Sequence, residues 1–140
     1  MKNKLILFLF VAFASLLTQR AYAQVVVIAN PSVKAVAVSK AELNDVFTGA
    51  ASNLKDGSHV TPVLLKTGAV QAAFLNEFIG KSDTAFRAGW RSLVFSGQGA
   101  MPKTIDSEVA LVDYVAATPG AIGYVGKSTA HDKVKTLAVK

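Results

Sequence analysis

Lys66, Thr67 and Gly68 bring an ammonium, a hydroxyl and an unhindered backbone amide together just before a helical pattern. That combination suits an anion. A helix start presents N–H groups without intrahelical acceptors and the positive end of the peptide dipoles, and here Ala69, Val70 and Gln71 would supply those amides. The same residues have a second reading, in which Thr67 is a helix cap and Gly68 a turn residue. Both readings fit the spacing.

Other chemistry-bearing residues form no comparable group. Gly97 and Gly99 frame a Gly-x-Gly loop that reads either as an amide nest or as a flexible turn. Arg87 and Arg91 are four apart and share a helical face, either holding an anionic partner or standing in solvent. His59 stands alone, and His131 has only Asp132 beside it, whereas a metal site needs several convergent ligands. Ser39 or Ser96 as a nucleophile would need a base and an orienting acid, and no G-x-S-x-G segment is present. The sequence thus predicts no catalytic residues, no metal and no cofactor.

Charge and targeting bound the setting. Lys2 and Lys4 precede an apolar stretch over residues 5–17, and Ala21-Tyr22-Ala23 is the small-x-small pattern that a signal peptidase accepts. Thirteen residues fall short of the roughly 20 that a spanning helix needs. The expectation is therefore a cleaved export signal over residues 1–23, a domain over residues 24–140 in the periplasm, and no stable membrane anchor after cleavage. With no cysteine there is neither a disulfide nor a lipidated cysteine, so stability must come from the core. The formal charge of +6 loses Lys2, Lys4 and Arg20 with the signal, leaving 12 basic residues against 9 acidic ones, or +3. The basic residues are scattered without interleaved aromatics, which argues against a nucleic-acid partner.

The elements that must position these residues alternate in type. Residues 25–29 are a continuous β-branched and apolar run ended by Asn30-Pro31, the mark of a strand buried on both faces, as in a parallel sheet. Ser39 and Glu42 have capping-box spacing ahead of Leu43, Val46 and Phe47, and Gly49 stops that helix. Residues 60–65 read as a strand in which Pro62 limits pairing to an edge or an end. A second helix carries Val70, Phe74 and Phe78 up to Gly80. A third is capped by Ser82 and carries Phe86 and Trp90. A loop runs from Ser96 through Pro102. A fourth helix, capped by Asp106 or Ser107, carries Leu111, Val112 and Val115 as far as Pro119-Gly120. Residues 121–125 and 134–139 read as strands. The pattern is an α/β domain with a mainly parallel central sheet flanked by helices.

Two segments carry a family resemblance. Ser39-Lys40-Ala41-Glu42-Leu43 with Val46, Phe47 and Gly49 resembles the LS-x-x-x-L-x-x-I-F-x-G stretch of the phosphate-binding components of bacterial phosphate ABC importers. Residues 118–125, TPGAIGYV, are similar to their T-P-G-A-I-G-Y-V stretch. Phe74, Trp90 and Phe95-Ser96-Gly97 fit the same layout. The resemblance spans nearly all of residues 25–139 and implies one lobe of a type 2 periplasmic-binding-protein-like fold. In the family two lobes close over the ligand, and this chain is too short for the second. The family's Ser-Gly-Thr-Arg stretch aligns on Gly68, Ala69, Val70 and Gln71, so the serine and threonine hydroxyls and the arginine are replaced.

The resemblance implies a periplasmic, non-enzymatic, solute-binding-type protein. It would take a small phosphate-like anion weakly or through an oligomer, at Lys66, Thr67, Gly68, Ala69, Val70 and Gln71. The alternative is a periplasmic protein-interaction module that has lost ligand binding. In either case the lobe edge around residues 68–70 and 97–99 is expected to be uncovered, suiting a homodimer or a periplasmic protein partner.

Overall fold

The computed structural model describes residues 24–140. The export signal expected over residues 1–23 lies outside them. In chain order the elements are β1 (Val25–Ala29), β2 (Ala37–Val38), α1 (Lys40–Phe47), β3 (Thr61–Leu65), α2 (Ala69–Phe74), α3 (Asp83–Phe95), β4 (Lys103–Ile105), α4 (Glu108–Ala117), β5 (Ala121–Gly126) and β6 (Lys135–Val139). A π-helical turn, Leu75–Ile79, continues α2 without a break. None of the described helices is long and apolar enough to cross a membrane.

Local chemistry sets the helix boundaries. Ser39 Oγ accepts from the Glu42 amide while Glu42 Oε1 accepts from the Ser39 amide, so the capping box expected for α1 is complete. Ser82 and Ser107 cap α3 and α4 by accepting from the amides three residues on, which selects Ser107 over Asp106. Gly80 ends the π turn in the left-handed conformation, φ 73°.

The six strands form one sheet in the order β2-β6-β1-β5-β3-β4. The pairings β2–β6, β3–β4 and β3–β5 are parallel. Strand β1 runs antiparallel to both β5 and β6. The sheet is thus mixed, with the parallel pairings in the majority, and β1 is not the parallel strand its sequence suggested. An unbroken apolar run reports burial on both faces and carries no information on direction. Pro62 pairs only toward β5, at the first end of β3, so its missing N–H costs the ladder toward β4 nothing. The two edge strands, β2 and β4, leave no periodic pattern in the sequence. They have two and three residues, too few to establish a period.

Adjacent residues of β5 divide the core between the two faces of the sheet. Gly123 faces α4, where an added Cβ would lie 2.9 Å from Leu111 Cδ2. Tyr124 faces the other way, against Phe47 of α1 and Phe74 of α2. The IGY stretch therefore places a missing side chain under one helix and a large ring under two others. Trp90 of α3 is buried on the latter side, its Nε1 donating to the Phe47 carbonyl at 2.8 Å.

Candidate functional site at the open end of the sheet

The chain leaves β3 at Leu65 and enters α2 four residues later, at the carboxyl ends of the parallel strands β3 and β4. This is where ligands bind in open α/β sheets. The Lys66 amide extends the ladder by donating to the Ile105 carbonyl at 2.9 Å. Its ammonium lies 3.8 Å from Asp106 Oδ1, with both side chains mostly in solvent. Gly68 occupies the N-cap position at φ 118°, a conformation suited to glycine, and makes no side-chain cap. Thr67 is therefore not the cap, contrary to one of its two expected readings. The first bond of the helix runs from the Ala72 amide to the Gly68 carbonyl at 3.1 Å, so the amides of Ala69, Val70 and Gln71 have no intrahelical acceptor.

Gln71 turns inward. Only 2% of it is exposed; its Nε2 donates to Asp83 Oδ1 at 3.4 Å, and its Oε1 has no partner among the described residues. Asp83 also accepts from Arg87 Nε, at 3.1 and 2.9 Å to its two oxygens, and the Arg87 guanidinium donates to the Lys66 carbonyl. Arg87 thus ties α3 to the turn that begins the site. Sequence spacing shows Asp83 and Arg87 as an i,i+4 pair, but nothing in it shows the contacts to Lys66 and Gln71. Arg91, on the same helix, is exposed.

The remaining candidates are placed elsewhere. The loop of residues 97–99 precedes β4 and so lies at the opposite end of the parallel strands from Lys66, which corrects the expectation of one shared edge. Gly99 sits against Trp90 and Leu93. At that opposite end are two cavities, of about 320 Å³ beside Ser32, Lys34 and Ser58, and about 340 Å³ beside Thr61, Trp90 and Gly99, with His59 lining both. Neither is lined by any of residues 66–71. His59 Nδ1 faces Asn53 Oδ1 at 3.1 Å and His131 Nδ1 faces the Thr129 carbonyl at 2.6 Å. Among the described residues no three histidine or acidic side chains converge on a point that would hold a metal. Ser39 Oγ is spent on its cap, and Ser96 Oγ donates to the Leu93 carbonyl.

What the open end offers is thus a short arc of backbone amides with Lys66 and Thr67 beside it, and cations already matched to Asp83 and Asp106. Helix-start amides without intrahelical acceptors are donors of the kind that oxyanions accept from.

No family model matches the chain, and neither does any curated protein. Solved structures do match by fold. A phosphate ABC transporter substrate-binding protein from Clostridium perfringens, solved with bound phosphate, is 18% identical at a TM-score of 0.63, over 82% of this chain and 44% of its own. PstS from Borrelia burgdorferi is 16% identical at a TM-score of 0.64, over 83% and 47%. An ABC-type phosphate transport receptor from Vibrio cholerae is 12% identical at a TM-score of 0.54, over 82% and 45%. The chain spans under half the length of each. At these identities the likeness is one of fold: residues 24–140 have the fold of one lobe of such substrate-binding proteins.

Proposed function

We propose that the chain is exported to the periplasm with loss of residues 1–23. There residues 24–140 act as a non-enzymatic solute-binding-type lobe that takes a small phosphate-like oxyanion at residues 66–71. The observation that supports this most is the set of open amides at Ala69, Val70 and Gln71, at the carboxyl ends of β3 and β4. The phosphate held by the Clostridium perfringens protein of the same fold supports it further. An anion at this surface keeps much of its contact with water, and its attraction to Lys66 is screened by salt. Affinity in the monomer is therefore on the order of millimolar, several kcal/mol short of a micromolar site. Calorimetric titration of the exported protein with phosphate, sulfate and small carboxylates is the test. Micromolar phosphate binding by a proven monomer contradicts the open-edge reading, and no response to any of the three oxyanions contradicts the site.

A second reading, a protein-interaction module without a solute, is favoured by the pairing of Lys66 with Asp106 and of Arg87 with Asp83. Cations already matched within the chain attract a free anion less. Sedimentation across a wide concentration range, with capture from periplasmic extract, separates this reading: a homodimer or a captured periplasmic protein without anion binding supports it.

A further inference from the structure

Glu108, the first residue of α4, sends its carboxylate to the end of β5. Its Oε1 accepts from the Gly126 amide at 2.6 Å and from the Thr129 hydroxyl at 2.9 Å. Two donors from a strand end and the following turn thus converge on one carboxylate oxygen, whose charge strengthens both hydrogen bonds. The turn is itself ordered, the Thr129 amide donating to the Gly126 carbonyl at 3.0 Å. Gly126 is closely approached from two sides: a Cβ there would lie 3.0 Å from Glu108 Oε1 and 3.3 Å from Val70 Cγ2. The same measurement puts the carboxylate next to the first turn of α2, at the open end of the sheet.

We propose that Gly126 and Thr129 form an oxyanion cradle which the chain fills with its own Glu108, so that a solute carboxylate or phosphate must displace an internal competitor. A tethered group competes at an effective concentration in the millimolar range or above, which suppresses a weak external ligand without any change of fold. The carboxylate also adds negative charge beside Val70, lowering the attraction of the neighbouring amides for anions. The inference extends the solute-binding reading but is read at different residues, so each can fail alone.

The test is two-dimensional NMR titration of the exported protein with acetate and, separately, with phosphate, following the amides of Gly126 and Thr129. In the wild type these signals are expected to move weakly and without saturating at millimolar anion. In Glu108→Ala they move saturably, with an apparent affinity about tenfold or more above the wild type, equivalent to about 1.4 kcal/mol. Acetate and phosphate arms show whether the cradle prefers planar or tetrahedral oxyanions. A Glu108→Ala protein with an otherwise native spectrum whose Gly126 and Thr129 signals respond no more than the wild type overturns the proposal. If that variant does not fold, Glu108→Gln serves: its amide oxygen still accepts but carries no charge, so a smaller gain is expected, and no gain overturns the proposal. A response at Gly126 with none at residues 69–71 would retain the cradle and defeat the site proposed above.

Discussion

The ring of Phe74 lies flat on that of Tyr124, with centroids 3.8 Å apart and planes within 3° of each other. The stack joins α2 to β5, and Phe47 meets both rings edge-on at 4.8 and 5.9 Å. At its far end the Tyr124 hydroxyl accepts from the Leu65 amide at 3.0 Å, in the last residue of β3 before the candidate site. One buried side chain therefore packs the helix and fixes the strand end between which residues 66–68 turn.

Tyr124→Phe keeps the stack and leaves the Leu65 amide unpaired, which should cost about 1–3 kcal/mol in denaturant melts. The pH dependence has a definite sign. Burial holds the Tyr124 phenol well above its ordinary 10.0, so the folded state keeps this proton where the unfolded chain releases it. Its stabilising effect is complete below about pH 10 and is lost as pH rises beyond it. Melts between pH 9 and 11, limits set about the ordinary phenol value, should show a steeper alkaline loss in the wild type than in Tyr124→Phe.

Two glycines test how strain combines with crowding. Gly49 has φ +83°, and a Cβ there would lie 2.6 Å from Leu93 Cδ1 and 2.9 Å from Trp90 Cη2. Gly57 has φ +87° with nothing within 4 Å. Gly57→Ala should cost about 1–2 kcal/mol, the left-handed penalty alone. Gly49→Ala should add about 1–3 kcal/mol for the clash. Equal losses for the two variants in thermal melts would contradict the close approach of α3 to Gly49.

Asn30 is 6% exposed, and its side chain closes the C-terminal end of α4. Its Nδ2 donates to the carbonyls of Val115 and Ala116 at 2.8 and 3.1 Å, and its Oδ1 accepts from the Ser32 amide at 2.9 Å. Asn30→Ala should destabilise the fold by about 1–3 kcal/mol through unpaired buried groups. Hydrogen exchange should rise first at the Ser32 amide, the donor that loses its acceptor.

At the candidate site the expected effects separate binding from stability. Thr67 does not cap α2, so Thr67→Ala should change stability by less than about 0.5 kcal/mol, the ordinary range for a surface residue. Lys66→Ala should weaken any phosphate binding, more at low salt than at high salt, because the charge it removes is exposed. Calorimetry at two ionic strengths, paired with melts, measures both.

The sequence by itself determined what depends on neighbours within about four residues. Ser39 with Glu42, Ser82, Gly80 and Pro62 act through hydrogen bonds or backbone angles confined to their own turn, and each stands where its spacing put it. The alternation of strand-like and helical periods gave the α/β class, and the two family-like segments pointed to a lobe whose fold the solved structures share. Tertiary structure decided what depends on the path of the chain. It set the antiparallel course of β1, because an apolar run is equally buried in either direction. It created β2 and β4, which are strands only because β6 and β3 lie beside them. It moved residues 97–99 to the opposite end of the sheet from Lys66, since a loop's place follows from the strand it enters. It also joined Arg87 to the Lys66 carbonyl and Glu108 to Gly126, across 21 and 18 residues. Those contacts have no sequence period, because nothing local to either residue specifies which distant amide or carbonyl the fold will bring within hydrogen-bonding reach.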